Sequence, residues 1–585
     1  MCGIFGYVGQ KANGVQKVMD GLRKLEYRGY DSWGIGVAGK EKILVEKSTG
    51  CLGSKKTSLP ESNIALGHTR WATHGSVTRA NSHPHLDCTG KLVIIHNGIV
   101  ENFGFLKRKL LPHHRFRSQT DSEVIVHLIE EYAENLPLKE AFMKAFSELE
   151  GLNAVVLMDG HNKKLFACKT GSPLVVGFGK GEGFLASDAQ ALLSETRQVH
   201  FMEDKELVIL DRDGVAFYNK NGVKTTKPKK QNLDWREEDA QLGNYPHFMI
   251  KEISEQPGIL RGIAKNFSAD LPNLAEIIKN SFGTYMIGCG SASYAALAGT
   301  YLFSRIAKRH VNFSLGSEFG YALDFLTKRS LVIAFSQSGE TIDIVDSVKK
   351  AQNKGAKVFA VVNTFGSTLY RMADYKMVLG AGPEKCVLAT KTLTAKLALI
   401  LLLAYCSDGR LEEGKKLVEK AADAVEKILK NKKNALKALS DKLALARHIY
   451  IVGRGQSYPV ALEAALKIKE VSYIHAEGFA AGELKHGVIA LIDKGTPCFV
   501  FAPLDETLGA VISGGMEMKA RGAYIIGVSP KNNEIFDCHI KVDNCGEATM
   551  IPSVVVAQLV SYYLALKLKL NPDRPRNLAK SVTVK

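Results

Sequence analysis

A cysteine directly follows the initiator methionine, in Met1-Cys2-Gly3. If Met1 is removed, Cys2 becomes the N-terminal residue and carries an α-amine that titrates near neutral pH. Such a residue attacks a carbonyl with its sulfur while its own amine accepts the proton, so no histidine base is required. The segment CGIFGYVG is also typical of a buried first strand, in which Cys2 is a small apolar residue.

A second concentration of polar groups is His-Thr-Arg-Trp-Ala-Thr-His-Gly at residues 68–75. It combines a guanidinium, two hydroxyls and two imidazoles, and it ends on a glycine that permits a turn. The planar fork of Arg70 is suited to hold a carboxylate through two hydrogen bonds. We therefore expect a loop that binds an amino acid.

Two further short motifs each have two interpretations. Asn97-Gly98 follows the apolar run LVII, so the Asn amide and the Gly backbone N–H are suited to stabilise an oxyanion. The same dipeptide is the strongest short signal for a hairpin turn. Asp121, in SQTDSE, is suited to cap a helix or to bind an ammonium group.

The order of the motifs CGI, EYRGYDS, HTRWATHG, HNGIVEN and TDSEV resembles the class II, N-terminal-nucleophile glutamine amidotransferases, over about the first 215 residues. The resemblance makes Cys2 the nucleophile that forms a glutamyl thioester, and Asn97 with Gly98 the oxyanion hole. Trp71 would lie on a mobile loop that closes over glutamine and gates ammonia, and Arg28 would support the N-terminal site. The implied glutamine-binding residues are Arg70, Trp71, Thr73, His74 and Asp121.

The elements around these motifs indicate an α+β domain over residues 1–218. Short β-type runs such as KLVIIHNGIV and NAVVLMD predict antiparallel sheets, interrupted by helical patterns near Val15–Glu26 and Ser122–Glu134. Residues 219–245 are polar and predict an interdomain connection. At 585 residues the chain is too long for one hydrophobic core.

The remainder alternates apolar strands with Gly- or Ser-containing loops and long helices, as parallel α/β units do. It also contains a weak repeat with an offset of about 166 residues, which relates segments starting at Tyr285, Val332 and Gly355 to segments starting at Ile449, Cys498 and Gly522. We therefore predict two successive α/β domains of one fold with parallel sheets. Their ranges are 246–410 and 446–570, with a helical connection at 411–445 and a C-terminal tail at 571–585.

The two copies differ where a ligand is expected. The first has Ser336-Gln337-Ser338-Gly339-Glu340-Thr341 between an apolar strand and a helix, whereas the second has Ala-Pro-Leu-Asp-Glu-Thr at 502–507. Backbone N–H groups at a helix start, with Ser and Thr hydroxyls, form a phosphate site. A plain helix-capping segment is the alternative.

That hexapeptide and the duplicated units resemble the sugar isomerase (SIS) family, and behind a class II glutaminase they are similar to the glucosamine-6-phosphate synthases. KEISEQP, ALKIKEVSYIHAEGFAAGELKHG and PRNLAKSVTV extend the resemblance to nearly the full length. It implies that Glu470 moves a proton between C1 and C2 with Lys467 close by, that His486 assists ring opening, and that Lys580 meets the C2 carbonyl. The implied sugar-phosphate residues are Ser291, Ser336, Gln337, Ser338 and Thr341.

The roles assigned to the second half have plainer alternatives. Lys467 and Glu470, three residues apart on a helix, are also typical of a surface ion pair, and Lys580 of a solvated tail. Two positions depart from the family pattern, because Ala292 and Ala389 each replace a hydroxyl-bearing residue. An uncompensated loss of a hydrogen bond costs about 0.5–1.5 kcal/mol, so the sugar specificity is open.

The resemblance implies that glutamine and fructose 6-phosphate give glucosamine 6-phosphate and glutamate, the first step of amino-sugar biosynthesis, without metal or cofactor. It also implies a homodimer, in which the ring-opening histidine comes from the neighbouring subunit, and an enclosed route for ammonia. The alternatives are amination of a related keto-sugar phosphate and a non-catalytic sensor of sugar phosphates.

Composition excludes several other classes. The ten cysteines show no C-x-x-C pair, which argues against a zinc site or disulfides. The apolar run Leu397–Tyr405 is too short to span a bilayer and predicts a buried helix, and the N-terminus is unlike a signal peptide, so we expect a cytoplasmic protein without membrane contact. The net charge of +17 comes from scattered lysines, which does not indicate nucleic-acid binding.

Overall fold

A computed structural model describes residues 2–225, 228–233, 241–267 and 270–582. The chain divides into two units. The first comprises the chain up to Gln241, with Gly366–Thr368 and the chain from Ala579 onward, and the second comprises Leu242–Phe365 and Leu369–Leu578. Parts of the predicted connection, at 226–227 and 234–240, and of the predicted tail, at 583–585, lie outside the described residues.

The first unit is built on antiparallel strands. In chain order they are β1 (Gly3–Gly9), β2 (Ser32–Ala38), β3 (Ile43–Thr49), β4 (Ile64–Arg70), β5 (His85–Leu86), β6 (Leu92–Gly98), β7 (Asn153–Asp159), β8 (Lys164–Thr170), β9 (Val175–Gly179), β10 (Glu182–Ala186), β11 (Gln198–Phe201), β12 (Leu207–Asp211), β13 (Gly214–Tyr218), β14 (Lys224–Thr225) and β15 (Gln231–Asn232). One sheet has the order β15-β11-β9-β10-β1-β4-β2-β3, and the other β14-β13-β12-β8-β7-β6-β5. The predicted antiparallel α+β fold is confirmed.

Strand β1 shows how the two sheets pack. Its side chains alternate between faces, as in any strand. Ile4 and Val8 join a core shared with residues of the second sheet such as Ile95, while Phe5 and Tyr7 pack on the opposite face against the first helix. Both faces of β1 are therefore covered, which explains why its sequence is almost continuously apolar.

Helices cover the outer faces of this sandwich. They are α1 (Gly14–Leu25), α2 (Phe103–Leu110), α3 (Glu123–Ala133) and α4 (Leu138–Ser147). The helices predicted near Val15–Glu26 and Ser122–Glu134 are confirmed as α1 and α3, whereas α2 and α4 were not predicted. Apolar residues of α2, α3 and α4 form one core with the outer face of the second sheet.

The second unit contains two parallel sheets. Its strands are β16 (Thr284–Gly288), β17 (Asn312–Leu315), β18 (Leu331–Ser336), β19 (Lys357–Val362), β20 (Tyr375–Val378), β21 (His448–Gly453), β22 (His475–Ala480), β23 (Pro497–Phe501), β24 (Tyr524–Ser529) and β25 (Cys538–Lys541). The sheet orders are β17-β16-β18-β19-β20 and β22-β21-β23-β24-β25. Each strand of the first sheet occupies the position of its counterpart in the second, which confirms the duplicated parallel α/β fold.

The helices of the second unit connect and cover these sheets. They are α5 (Phe248–Asn266), α6 (Leu271–Asn280), α7 (Ser291–Arg305), α8 (Gly316–Phe319), α9 (Ile342–Asn353), α10 (Thr368–Met372), α11 (Lys391–Ser407), α12 (Leu411–Asn431), α13 (Lys433–Leu443), α14 (Ser457–Ser472), α15 (Leu508–Lys519) and α16 (Met550–Lys567). One apolar core includes residues of α7, α11, α14 and α16, so both α/β copies share it. The expected connection at 411–445 is two helices, α12 and α13.

Two apolar helices lie in this core. The run Leu397–Tyr405 belongs to α11 and is buried throughout, as predicted. Gly546–Lys567, which includes α16, is long and apolar enough to cross a membrane by length and composition, but 94% of its most apolar window is buried inside the protein. Its apolar character is therefore accounted for by packing in the core.

Candidate functional site

The Cys2 sulfur lies against the backbone of Trp71. The Trp71 N–H donates to Sγ at 3.2 Å, and the thiol donates to the Trp71 carbonyl at 3.4 Å. Cys2 immediately precedes β1 and Trp71 immediately follows β4, and these neighbouring strands pair Gly3 with Thr69. The register of the first sheet therefore places the thiol at the start of the 71–75 loop.

Asn97 approaches Cys2 from the second sheet. Asn97 and Gly98 are the last residues of β6 and pair with Ala154 and Asn153 of β7, so they do not form a two-residue hairpin turn. The Asn97 Nδ2 donates to the Cys2 carbonyl at 3.0 Å. Gly98 has φ +139°, and an added Cβ would lie 2.1 Å from the Leu152 carbonyl oxygen, so glycine is required there.

His68 fixes the orientation of the Asn97 amide. Its Nε2 lies 3.0 Å from both the Asn97 Oδ1 and the His96 carbonyl oxygen. Both partners accept hydrogen bonds, so Nε2 carries the proton. Burial lowers the pKa of His68 to about 3, which keeps the ring neutral. The amide oxygen of Asn97 therefore faces His68, and its N–H₂ group faces Cys2.

The loop at 71–76 is held by two charged side chains, the buried Arg70 and the partly buried Asp31. The Arg70 guanidinium donates to the carbonyls of His74, Gly75 and Ser76. Asp31, in the EYRGYDS motif, accepts from the Ala72 N–H at 2.9 Å. Arg70 thus shapes the loop that was predicted to bind glutamine, and its five N–H donors leave capacity for a substrate carboxylate.

The loop also presents groups of its own. The His74 ring packs edge-to-face on Phe103 with centroids 4.5 Å apart. Its Nδ1 is buried without a hydrogen-bond partner in the described part of the chain, as a group awaiting a ligand would be. Thr73 is exposed, and the Trp71 ring packs edge-to-face on Tyr30.

Asp121 does not cap a helix. One of its carboxylate oxygens accepts from the Val100 N–H at 2.7 Å, and α3 begins after Ser122 without a side-chain cap. The other oxygen has no hydrogen-bond partner among the described residues. Of its two predicted roles, the position fits an ammonium-binding carboxylate.

Arg28 supports the start of β1 indirectly. Its guanidinium pairs with Asp188 at 2.7 Å, and Tyr27 donates to the same carboxylate oxygen. The adjacent Ser187 exchanges hydrogen bonds with Ile4, through its Oγ and its backbone N–H, each at 3.0 Å. The contacts lead from Arg28 to the strand that carries the thiol.

In the second unit, Ser336–Thr341 joins β18 to α9. The Ser336 Oγ lies 3.0 Å from the Thr341 Oγ1 and accepts from the Gly339 N–H at 3.0 Å. Thr341 occupies the N-cap position of α9, but no side chain caps the helix. The capping interpretation is thus not what the structure shows, and the uncapped N–H groups of a 12-residue helix favour an anion.

Three charged side chains meet on α14. Lys467 is fully buried, and its Nζ lies 2.5 Å from Glu470 and 3.5 Å from Glu463. Burial raises the pKa of Glu463 to about 7, although Lys467 acts in the opposite direction. The surface-pair interpretation of Lys467 and Glu470 is therefore wrong, since buried charges must be paired.

Ser291 and the two departures from the family pattern lie in different surroundings. Ser291 donates to the buried Glu463 at 3.1 Å, so its hydroxyl orients that carboxyl group. Ala292 belongs to the apolar core of the second unit. Ala389 is partly buried beside Thr390, whose backbone N–H donates to Glu384 at 2.9 Å.

The start of the C-terminal tail is docked on the second unit. Asp573 accepts from the first two N–H groups of α5, at Phe248 and Met249. The Arg576 N–H donates to the Tyr473 hydroxyl at the end of α14, the helix that carries Lys467 and Glu470. Lys580 follows four residues later.

His486 stands apart from these groups. It lies at the end of a short 3₁₀ helix, Ala481–His486, and is exposed. Within the described ranges, no hydrogen bond joins it to Lys467 or Glu470. Its role in ring opening stays a prediction.

Comparisons with known proteins agree with this arrangement. A family model for glutamine amidotransferase domains matches residues 53–220, and one for SIS domains matches 277–405 and 442–568. Glutamine–fructose-6-phosphate aminotransferases (isomerizing) of Pyrococcus horikoshii and Thermococcus kodakarensis are 43% and 41% identical to this chain over the full length of both. The chain belongs to this family.

A solved structure extends the family likeness to the second half. The C-terminal domain of glucosamine-fructose-6-phosphate aminotransferase from Francisella tularensis covers 57% of this chain and 100% of its own, with 28% identity and a TM-score of 0.53. The expected family and fold class are confirmed. The individual assignments of site residues remain predictions.

Several residues that support the aminotransferase sites were not predicted. They are His68, Asp31 and Asp188 in the first unit and Glu463 and Glu384 in the second. His68 was visible in HTRWATHG and Asp31 in EYRGYDS, but nothing local indicated their partners. Glu463 precedes Lys467 by four residues, a spacing that predicts an ion pair on one helix face.

Loss of the Asn97 donor should reduce glutamine hydrolysis. We expect Asn97→Ala to lower kcat by about 10²–10³-fold, as removal of one oxyanion donor does. His68→Leu should have a smaller effect of up to roughly tenfold, the value of one hydrogen bond, with KM unchanged, because the amide is free to rotate. His68→Gln, which keeps an N–H donor, is the control. Equal activity of His68→Leu and wild type would show that His68 does not orient Asn97.

Removal of the buried ammonium should destabilise the second unit. We expect Lys467→Ala to lower the free energy of unfolding by about 3–5 kcal/mol, because it leaves Glu463 and Glu470 without their cation. Denaturant titration monitors the change. The exposed Lys469 lies on the same helix, so Lys469→Ala is the control and should stay within about 0.5 kcal/mol of wild type. A similar small loss for both variants would contradict a buried ionic network.

Proposed function

We propose that this protein transfers the amide nitrogen of glutamine to fructose 6-phosphate, giving glucosamine 6-phosphate and glutamate. The observation that carries the proposal is the Cys2 sulfur beside the Trp71 N–H, with the Asn97 amide 3.0 Å from the Cys2 carbonyl oxygen. Membership of the aminotransferase family supports both substrates.

Glutamine hydrolysis follows from the chemistry around Cys2. Burial raises the pKa of the thiol, although the Trp71 N–H and Arg70 act in the opposite direction. The thiol is therefore protonated at neutral pH, and the reaction needs a base. Once Met1 is removed, the α-amine takes the proton while the sulfur attacks the amide carbon. Ammonia leaves, and water then hydrolyses the glutamyl thioester.

The surrounding groups have complementary roles. Asn97 Nδ2 and the Gly98 N–H donate to the oxyanion of the tetrahedral intermediate. Arg70 binds the glutamine carboxylate and Asp121 its ammonium group, since these charges match. His74, Thr73 and Trp71 line the loop that covers glutamine.

The second half receives ammonia. The phosphate binds at the start of α9, where Ser336, Gln337, Ser338 and Thr341 stand, with Ser291 on the neighbouring helix α7. Lys580 meets the C2 carbonyl, and Glu470 moves the proton between C1 and C2 with Lys467 holding its charge. We propose a homodimer in which His486 of a second copy assists ring opening.

The proposal includes the location of the enzyme and the kinds of molecule that it binds. We place the enzyme in the cytoplasm, with small-molecule substrates and without nucleic-acid or membrane partners. No metal or cofactor is needed for the steps above, because a Lys, a Glu and a His supply the proton transfers and the carbonyl chemistry.

Two other functions are compatible with parts of the sequence. Amination of a related keto-sugar phosphate is favoured by the hydroxyls absent at Ala292 and Ala389. Ala292, however, packs in the apolar core, so its lost hydroxyl is explained by packing. A sensor without turnover is disfavoured by the Cys2 site, because a sensor of sugar phosphates has no use for a glutamine nucleophile.

A reconstituted reaction tests the main proposal. The purified protein with glutamine and fructose 6-phosphate should produce glucosamine 6-phosphate and glutamate in equal amounts, measured by mass spectrometry. A panel of ketose phosphates should give lower kcat/KM than fructose 6-phosphate. Absence of amino-sugar phosphate would refute the proposal, and a better substrate in the panel would correct the acceptor.

The same preparation tests the nucleophile. Intact-mass measurement should show that Met1 is absent from active protein, because an acylated α-amine cannot accept the thiol proton. Full activity in protein that retains Met1 would rule out the N-terminal mechanism while leaving the overall reaction intact.

Coupling of the two half-reactions should depend on Trp71. We expect Trp71→Ala to retain measurable glutamine hydrolysis but to form less than one amino sugar per glutamate, because ammonia escapes to solvent. The ratio of the two products measures the coupling, and Trp33→Phe, in the core of the first unit, is the control. A ratio of one in Trp71→Ala would contradict a gating role.

A further inference from the structure

Four potential metal ligands from three separate segments of the chain meet at one point of the first unit. They are Cys88, His114, His127 and Glu130, and one ligand atom from each lies within 4.8 Å of the other three. Cys88 is in the turn between β5 and β6, and His114 is in the connection between α2 and α3. His127 and Glu130 lie on α3, one turn apart.

The ligand atoms converge with spacings close to those of a tetrahedral site. The Cys88 Sγ lies 3.6 Å from the His114 Nδ1 and 3.7 Å from the His127 Nδ1. Both Nδ1 atoms lie 3.0 Å from the Glu130 Oε2. Tetrahedral zinc with bonds of about 2.0–2.3 Å separates its ligand atoms by about 3.3–3.7 Å. Small shifts of the carboxylate would therefore admit an ion.

The far sides of the two imidazoles face carboxylates. The His114 Nε2 lies 2.9 Å from the Glu131 Oε2, and the His127 Nε2 lies 3.7 Å from the Glu123 Oε1. The His114 contact is the arrangement in which a metal-bound histidine donates its other N–H to an acidic group, which fixes the ring and makes it a better ligand, whereas the His127 Nε2 is close to Glu123 without a hydrogen bond. Both Nδ1 atoms are directed at the common point.

The carboxylate is also held in place. The Cys88 N–H donates to both oxygens of Glu130 at 3.1 Å. Cys88 therefore positions the Glu130 carboxylate through its backbone and also offers its own sulfur as a ligand. His127 is almost fully buried and His114 nearly so, at 1% and 8% exposure. A buried imidazole must have its ring nitrogens bonded, and both Nδ1 atoms here meet the Glu130 Oε2 at 3.0 Å.

We propose that Cys88, His114, His127 and Glu130 bind one zinc ion as a structural site. A thiolate with two imidazoles favours zinc over magnesium or calcium, which prefer oxygen ligands. Four protein ligands complete a tetrahedral shell, as structural zinc sites require. The site departs from the expectation drawn from cysteine spacing, because its ligands come from three separate segments.

The position of the site gives it a mechanical role. Metal binding joins the β5–β6 turn and the segment after α2 to α3, and the residue that precedes the N-cap of α3 is Asp121. Glu123, which faces His127, also accepts from the N–H groups of Arg117 and Ser118 at 2.7 Å each. The ion would therefore stabilise the segment that leads to the proposed ammonium-binding carboxylate.

Cobalt substitution tests the site directly. The experiment uses full-length protein with Cys2→Ser, so that the nucleophile cannot contribute a sulfur ligand. Metal-free protein titrated with Co²⁺ should develop a thiolate-to-cobalt absorption band and the visible bands of tetrahedral cobalt, saturating at one equivalent. Zn²⁺ should abolish both.

Single substitutions test which residues bind the metal. Adding Cys88→Ser should remove the thiolate band, whereas adding Cys51→Ser, at another exposed cysteine, should leave it intact. Glu131→Gln should weaken zinc binding by about 10–100-fold, as loss of a carboxylate behind a ligating histidine does. Zinc should raise the Tm of the parent but not of the Cys88→Ser protein, and equal Tm values without metal would show that this variant folds.

Two results would overturn the proposal. One is absence of stoichiometric binding by the parent, and the other is a thiolate band that survives in the Cys88→Ser protein. Neither result bears on amino-sugar synthesis, which does not use these four residues.

Discussion

The hydrogen bond between Asn97 and Cys2 joins the two sheets of the first unit at the site of glutamine attack. Cys2 immediately precedes β1 in one sheet, and Asn97 lies at the end of β6 in the other. The separation of these strands is set by the apolar layer between the sheets, which includes Ile4 and Ile95. Close packing in that layer resists small displacements, so the core positions the nucleophile relative to its oxyanion donor.

The second unit buries charged residues between its two α/β copies. Its two copies share a core, and the charged residues of α14 lie where the copies meet, as the Ser291–Glu463 contact shows. Lys467 is stable there because Glu463 and Glu470 surround it. Neither α9 of the first copy nor α15 of the second has a side-chain cap. The loop before α15, however, holds a carboxylate of its own, because Asp505 accepts from the Thr507 N–H at 2.9 Å.

Periodic and apolar elements were predictable from the sequence because they depend on local pattern. The strand at Gly3–Gly9, the helix over Glu123–Ala133 and the duplicated sheets all follow from it. The ambiguous positions were those whose structure depends on pairing with a distant strand. Asn97-Gly98 is compatible with a hairpin turn or with a strand end, and its pairing with β7 makes it a strand end. Likewise, the spacing of Lys467 and Glu470 places them on one helix face but does not show whether that face is buried.

Contacts between distant segments could not be predicted in this way. His114 and His127 lie 13 residues apart and Cys88 lies 26 residues before His114, so no ligand motif is visible in one stretch of sequence. The same holds for Asp188, whose partners Tyr27 and Arg28 lie about 160 residues earlier. In both cases the fold brings together groups whose types alone carry little information.

The cluster of imidazoles behind Asn97 illustrates why such distant contacts matter. His68 stacks on His83 at 4.1 Å, and His83 contacts His85 at 4.6 Å. Burial lowers the pKa of each of these rings, so the cluster is neutral near pH 7. A charged imidazolium there would add to the field of Arg70 and weaken the α-amine as a base. Neutral rings supply the donor that orients Asn97 without that electrostatic cost.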